Sequence, residues 1–263
     1  FLKDLCRVTA LLCTATQPPL EQLDVPIEMR DNADLTSDLA EVFEGFQRVQ
    51  IENICEDGGV SINEIAGEIV HSAEEIGDVL CIVNLTEQAR NLYEKVSEFA
   101  QISERDIHVV HLSTKMCPAH RKEALRTVRE ELDARHEYPE QRLICISTQL
   151  IEAGVDVSFP VVYRALAGFS SIAQAAGRCN RHGEMERGIV RLFTLEQENL
   201  SNLKDIRQGK KIAQIMLHQQ RENEIVTPQV MDEYFRRFYR DHTEKEMRYP
   251  IKGRNTIFDL LSA

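Results

Sequence analysis

The stretch Ser147-Thr148-Gln149-Leu150-Ile151-Glu152-Ala153-Gly154-Val155-Asp156-Val157 is followed further on by Gln174-Ala175-Ala176-Gly177-Arg178-Cys179-Asn180-Arg181. The apolar run before Ser147 reads as a strand. A strand that ends in Ser-Thr leaves hydroxyls and backbone amides at the carboxyl edge of a sheet, where open α/β folds bind ligands. Gly154 permits a backbone shape that other residues resist. Asp156 is placed to accept from a ribose hydroxyl or from a neighbouring arginine. Arg178 and Arg181, three apart, are expected on one helix face. From there they present two planar, charged forks to a phosphate carried by another domain. Such a segment supplies half of an active site.

Outward from this stretch the pattern is regular. Residues 46–54, 78–85, 107–112, 143–147, 161–164 and 188–194 read as strands. Residues 62–73, 86–100, 118–135 and 170–179 read as helices, with Thr86 as an N-cap and Pro118 in a first turn. Strands alternating with helices imply right-handed crossovers and an α/β fold, a mostly parallel sheet with helices on both faces. Asn84, Ser113 and Thr148 should then share one sheet edge. Beyond Glu196 the chain reads as helices over 201–220 and 227–243. At the other end, 8–16 reads as a buried strand, and 20–45 as an acidic connector with a short helix at 39–44.

The composition bounds the function. The net charge of −12 argues against a generic nucleic-acid binder. Its distribution changes that reading: residues 21–78 hold 16 acidic side chains against Arg30 and Arg48, so the remainder is slightly basic. Seven cysteines stand singly, at 6, 13, 55, 81, 117, 145 and 179. That scatter suits reduced thiols in the cytoplasm. No histidine spacing suggests a metal site, and no apolar run reaches the length of a membrane span. The chain starts at Phe1 and is read as a fragment.

Each motif has a plainer reading beside the functional one. Gly-Arg-x-x-Arg alone also fits a solvated basic helix end. The 147–156 loop also fits an ordinary capped turn. Asn84 and Ser113, at the ends of strands, suit contact with a nucleic-acid backbone or simple turn capping. The run Tyr234-Phe235-Arg236-Arg237-Phe238-Tyr239-Arg240 offers aromatic faces for bases. Its i,i+4 pairs favour a buried helix stripe. The sequence holds no Gly-x-x-x-x-Gly-Lys-Ser/Thr phosphate loop and no Asp-Glu-x-x box.

Taken together, the motifs resemble the second RecA-like domain of a superfamily 2 helicase, and in particular the nuclease-helicase of type I CRISPR interference. Cys13-Thr14-Ala15-Thr16-Gln17-Pro18 is similar to the end of that family's first motor domain, and Val83-Asn84 to the first motor motif of its second. His111-Leu112-Ser113-Thr114-Lys115-Met116-Cys117-Pro118-Ala119-His120-Arg121 resembles the next block, and Gly177-Arg178-Cys179-Asn180-Arg181-His182-Gly183 completes the set.

The resemblance implies residues 1–19 as the end of a first RecA-like domain and 20–45 as a connector. It makes 46–196 the second RecA-like domain and 197–263 a helical linker, with 249–261 leading toward a C-terminal domain. It implies that Arg178 and Arg181 face the phosphates of ATP, with Gly154, Asp156, Gln174 and Gly177 about the nucleotide. Asn84, Ser113, Ser147 and Thr148 would face single-stranded DNA. Ala175 stands where many superfamily 2 helicases have arginine, so no third cationic contact is assigned.

ATP and magnesium would be bound mainly by the first motor domain, and the nuclease metal by an HD domain. The guide-RNA surveillance complex, Cascade, would be the protein partner. The fragment alone should be inactive. Another superfamily 2 DNA or RNA helicase, or a non-catalytic interaction module, are the rival readings.

Overall fold

A computed structural model describes residue 11 and residues 48–55, 58–152, 154–219 and 227–241. The expected strand at 8–16, apart from Leu11, the connector helix at 39–44 and the tail at 249–261 lie outside these residues.

Six strands form one sheet: β1 (Val49–Asn53), β2 (Val79–Ile82), β3 (Asp106–Leu112), β4 (Gln141–Ser147), β5 (Val161–Ala165) and β6 (Gly188–Phe193). Their order is β1-β6-β5-β2-β4-β3, and every pairing is parallel. The connections from β2 run one way along the sheet and those from β5 run the other. The chain therefore reverses direction between these neighbours, and a crevice opens at their carboxyl ends.

The helices are α1 (Ile62–Glu75), α2 (Thr86–Ile102), α3 (Pro118–Asp133), α4 (Phe169–Ala176), α5 (Lys204–Leu217) and α6 (Pro228–Asp241). Alternate side chains of each strand divide between two apolar layers. Val79, Cys81, Ile144, Ile146 and Tyr163 pack against Ile65, Ile69, Leu92 and Val96 of α1 and α2. Leu80, Ile82, Leu143, Cys145 and Val162 pack on the opposite side with Val128, Ile172, Ile212 and Val230 of the other four helices. This is the RecA-like α/β arrangement expected.

Local chemistry explains the boundaries. Ser61 and Glu64 form a reciprocal capping box that starts α1. Pro118 opens α3 where no amide partner is lost. Thr86 is not the cap of α2: Leu85 holds the extended cap position, without a side-chain bond, and Thr86 is the first helical residue. The aromatic stripe of α6 is core. Tyr234 and Phe235 are buried, and the Tyr234 ring packs tilted against Phe169 at 5.5 Å between ring centres.

The largest departure from the sequence reading is α4. It stops at Ala176 instead of running to 179, with Gly177 as the cap donating its N–H to Ala173. The chain beyond is drawn alongside the residues that lead into β5. Phe159 N–H donates to Arg178 O and Asn180 N–H to Phe159 O, both at 2.9 Å. Arg178 and Arg181 therefore stand in a turn, not on a helix face.

Candidate functional site

Parallel pairing puts the ends of β2, β3 and β4 on one edge, and with them Asn84, Ser113 and Thr148. Ser147 is fully buried and its Oγ donates to Thr148 O at 2.9 Å. Thr148 N–H donates to Leu112 O, which ties the loop after β4 to the end of β3. Thr148 Oγ1 is buried and has no hydrogen-bond partner among the described residues. Ser113 is also buried, and its Oγ accepts from Lys115 N–H at 3.2 Å.

Beside them, Thr86, Glu87, Arg90, His111, Ser113, Lys115 and Met116 line a groove of about 330 Å³. Arg90, which pairs with Glu94 at 3.3 Å, and Lys115 share this groove with the Glu87 carboxylate. Burial holds the His111 imidazole below its ordinary pKa, and its ring stacks on Tyr93 at 5.5 Å. A larger cavity, about 450 Å³, opens at the amino ends of β2, β3 and β4 among Asp78, Asp106 and His108. It lies at the far edge of the sheet from every motif, and size alone does not make it the site.

The loop after β4 turns at Gly154, whose φ of +72° is left-handed. No atom lies within 4 Å of where a Cβ would stand, so backbone conformation, not crowding, calls for glycine. Asp156 follows with an exposed side chain. It accepts from Arg181 Nε at 2.9 Å, and His182 Nε2 lies 3.8 Å away.

The two arginines do different things. Arg178 is 8% exposed. Its Nε donates to Ile151 O at 3.0 Å and its Nη2 to Glu152 O at 2.7 Å, so it clamps the loop. Burial, with Arg181 nearby, lowers its pKa. The Arg181 side chain is 43% exposed and, among the described residues, reaches Asp156 and, at 3.5 Å, Gly177 O. Gln174 is half-buried one turn before the arginine turn.

Asn180 builds that turn. Its φ is +44°, and its carboxamide exchanges bonds with Met185 and donates to Arg48 O. Asparagine tolerates this backbone region better than most residues.

Asn84 also departs from the motif reading. Its side chain is turned inward. Asn84 Nδ2 donates to Glu198 at 2.8 Å and to Leu166 O at 3.1 Å, and its Oδ1 accepts from Arg164 Nη1 at 2.8 Å. Arg164, fully buried at the end of β5, also pairs with Glu152 at 2.8 Å. Burial pushes the Glu152 carboxyl up in pKa, partly offset by Arg164. Glu198 holds Lys210 at 2.5 Å. Sequence reasoning passed over Arg164, Glu152, Glu198 and Lys210. A lone arginine in Val161-Val162-Tyr163-Arg164-Ala165-Leu166 was the available signal, because a buried guanidinium demands a carboxylate.

The donor set suits an anion. The exposed Arg181 guanidinium stands at this edge, and among the described residues no group of three or more His, Cys, Asp or Glu is placed to hold a metal ion.

Residues 75–184 match the family described as "CRISPR-associated nuclease/helicase Cas3, C-terminal". The chain is 33% identical over 178 residues to the CRISPR-associated nuclease/helicase Cas3 of Haloferax volcanii. That alignment covers 60% of this chain and 18% of the relative, so the chain spans under a fifth of that protein's length. Among solved structures, T. fusca Cas3 with ATP superposes with a TM-score of 0.59 at 15% identity, over 74% of this chain and 24% of that one. A chain of a CRISPR RNA-guided surveillance complex in its pre-nicking state superposes with a TM-score of 0.50 at 16% identity, over 72% and 25%. These superpositions agree with the RecA-like fold, and over residues 75–184 the chain is similar to the C-terminal part of Cas3 nuclease-helicases.

Proposed function

We propose that this chain is the second motor domain of an ATP-driven translocase on single-stranded DNA, coupled to a nuclease in CRISPR antiviral defence. The observation that carries the reading is Arg181, an exposed guanidinium held by an exposed carboxylate at the ligand-binding edge of a RecA-like sheet. ATP hydrolysis by such motors is mainly positioning and charge neutralisation, and an arginine supplied from a second domain contributes roughly 10³–10⁵ in rate.

When nucleotide is bound between two motor domains, Arg181 exchanges Asp156 for a phosphate oxygen. Arg178 keeps the loop closed through Ile151 and Glu152 and stands behind Arg181. Gly154, Asp156, Gln174 and Gly177 shape the nucleotide side. Thr148, with its hydroxyl unpartnered among the described residues, and Ser113 are the residues nearest the DNA strand and Ser147 supports that edge from within, while Asn84 is turned away from it toward Arg164 and Glu198.

ATP would supply the γ-phosphoryl group, which passes to water with ADP as the leaving group. Its phosphates fit the arginines here. Magnesium fits a phosphate loop and acidic box on the first motor domain, and the nuclease metal an HD domain. The surveillance complex is the partner that delivers DNA. Among the described residues, no helix is long and apolar enough to cross a membrane, and the cytoplasm is the proposed place of action.

The test is steady-state phosphate release with saturating single-stranded DNA. The complete enzyme should show DNA-stimulated turnover and this chain alone none. Turnover by the isolated chain, or a complete enzyme indifferent to DNA, sinks the proposal.

A further inference from the structure

The contacts around Arg164 form one unbroken series through the centre of the molecule. Lys210, on α5, donates to Glu198 Oε2 at 2.5 Å. Glu198 Oε1 accepts from Asn84 at 2.8 Å. Asn84 accepts from Arg164 at 2.8 Å, and Arg164 Nε lies 2.8 Å from Glu152 Oε1. The Glu152 carbonyl accepts from Arg178 at 2.7 Å. The series starts in the helical segment that follows the sheet and ends in the arginine turn. It passes the crevice where the sheet reverses direction.

Most of this series is shut off from solvent. Side-chain exposure is 0% for Arg164, 5% for Glu152, 3% for Glu198 and 13% for Lys210. Charges this deeply buried are costly to desolvate, and apolar side chains of the same volume often serve stability as well or better. Stability alone therefore does not account for placing four charges here. Arg164 Nε and Glu152 Oε1 meet as an ion pair at 2.8 Å without hydrogen-bond alignment, and Arg164 Nη2 also has no hydrogen-bond partner among the described residues, so even the hub is not fully satisfied.

Geometry supplies another reason. α5 packs directly beneath the start of α4: a Cβ built on Gly209 would stand 3.1 Å from the Gly168 Cα. A shift of α5 therefore reaches α4 by packing, and the 148–156 loop by the polar series.

We infer that Arg164 is a positioning residue: through Glu152 on one side and Asn84–Glu198–Lys210 on the other, it couples the placement of α5 to the loop that Arg178 clamps. The inference rests on the proposed motor function of the arginine turn. Its effect falls on turnover, because the loop bearing Asp156 sets where Arg181 stands. It does not fall on DNA affinity, which draws on Thr148, Ser113 and the groove beside α2.

The test uses the complete enzyme and single-stranded DNA, with kcat for ATP and the DNA concentration at half-maximal stimulation as readouts. Lys210→Met and Glu198→Gln, both remote from the arginine turn, should each lower kcat about three- to thirtyfold, with the DNA half-point unchanged. Lys210→Arg, which keeps a cation on Glu198, should retain most of the rate. The losses should be non-additive with Arg178→Lys, since all act through the same loop. Normal kcat in both Lys210→Met and Glu198→Gln overturns the inference, as does strict additivity with Arg178→Lys. Should Lys210→Met fold poorly, Glu198→Gln carries the decision alone. Wild-type DNA-stimulated turnover and its loss in Arg181→Ala judge the motor assignment separately, so the two ideas fail independently.

Discussion

Two arginine–carboxylate pairs share the loop after β4. Glu152 meets Arg164 at 2.8 Å, and Asp156 meets Arg181 at 2.9 Å. The distances are alike and the surroundings are opposite. The first pair is closed to solvent on both sides. In the second, the carboxylate is 69% exposed and the arginine 43%. In the interior, neither charge of a pair can find water when the other leaves. At the surface, water and salt replace either partner at small cost. The buried pair thus fixes the loop, and the exposed pair holds Arg181 without confining it.

The sharpest way to break this contrast is to remove one arginine of each pair. Arg164→Met leaves Glu152 buried without its counter-ion and should cost about 3–5 kcal/mol of stability, read by urea unfolding. Arg181→Ala should change stability by about 1 kcal/mol or less. In the complete enzyme, however, Arg181→Ala should cut DNA-stimulated ATP turnover about 10²-fold, because a charged donor aimed at the developing phosphate charge is gone. Lysine at 181 should rescue only in part, since it lacks the fork. Comparable stability losses at the two positions would erase the distinction between them.

Arg178 lies between these extremes and sharpens the comparison. Its two charge-assisted bonds go to backbone carbonyls of the same loop. Arg178→Ala should therefore lose about 1.5–3 kcal/mol as well as turnover. If its stability stays at the wild-type value while turnover falls, Arg178 is a phosphate ligand only and the loop is held by other contacts.

The sequence made the sheet legible for a simple reason. β2 is apolar on both faces, β4 and β5 are apolar apart from Gln141, Arg142, Ser147 and Arg164, and the helices between them carry a helical period. Both patterns follow from burial between two helical layers. The edge location of Asn84, Ser113 and Thr148 then followed from parallel topology. What stayed hidden depends on side-chain direction. Asn84 reads as an edge residue, yet Arg164 and Glu198 turn it inward. The end of α4 was misplaced because the bridge between Phe159 and Cys179 is a non-local contact, and it overrides the local helical pattern of Gly177-Arg178-Cys179. Glu152 and Arg164 are twelve residues apart and meet only because β4 and β5 flank β2. No periodicity reports that meeting.

The smallest expected effect concerns a third charge-bearing group on the same edge. His111 Nε2 is buried without a hydrogen-bond partner, and the ring has Tyr93 against its face but no carboxylate among its described partners. Burial lowers its pKa in the folded protein. The sign follows from linkage. Above the ordinary imidazole value near 6.5, the neutral ring is present in both states and nothing is lost. As pH falls, the unfolded chain takes up the proton first, and stability declines as pH falls further through the lowered folded value. His111→Phe keeps the stacking surface on Tyr93 and removes the titration. Unfolding free energies of the two proteins should therefore converge near pH 8 in slope and separate below about pH 6.5, with the wild type falling more steeply. Parallel pH profiles would mean that His111 gains a counter-charge in solution, and that this edge accommodates a cation as easily as the exposed Asp156–Arg181 pair does.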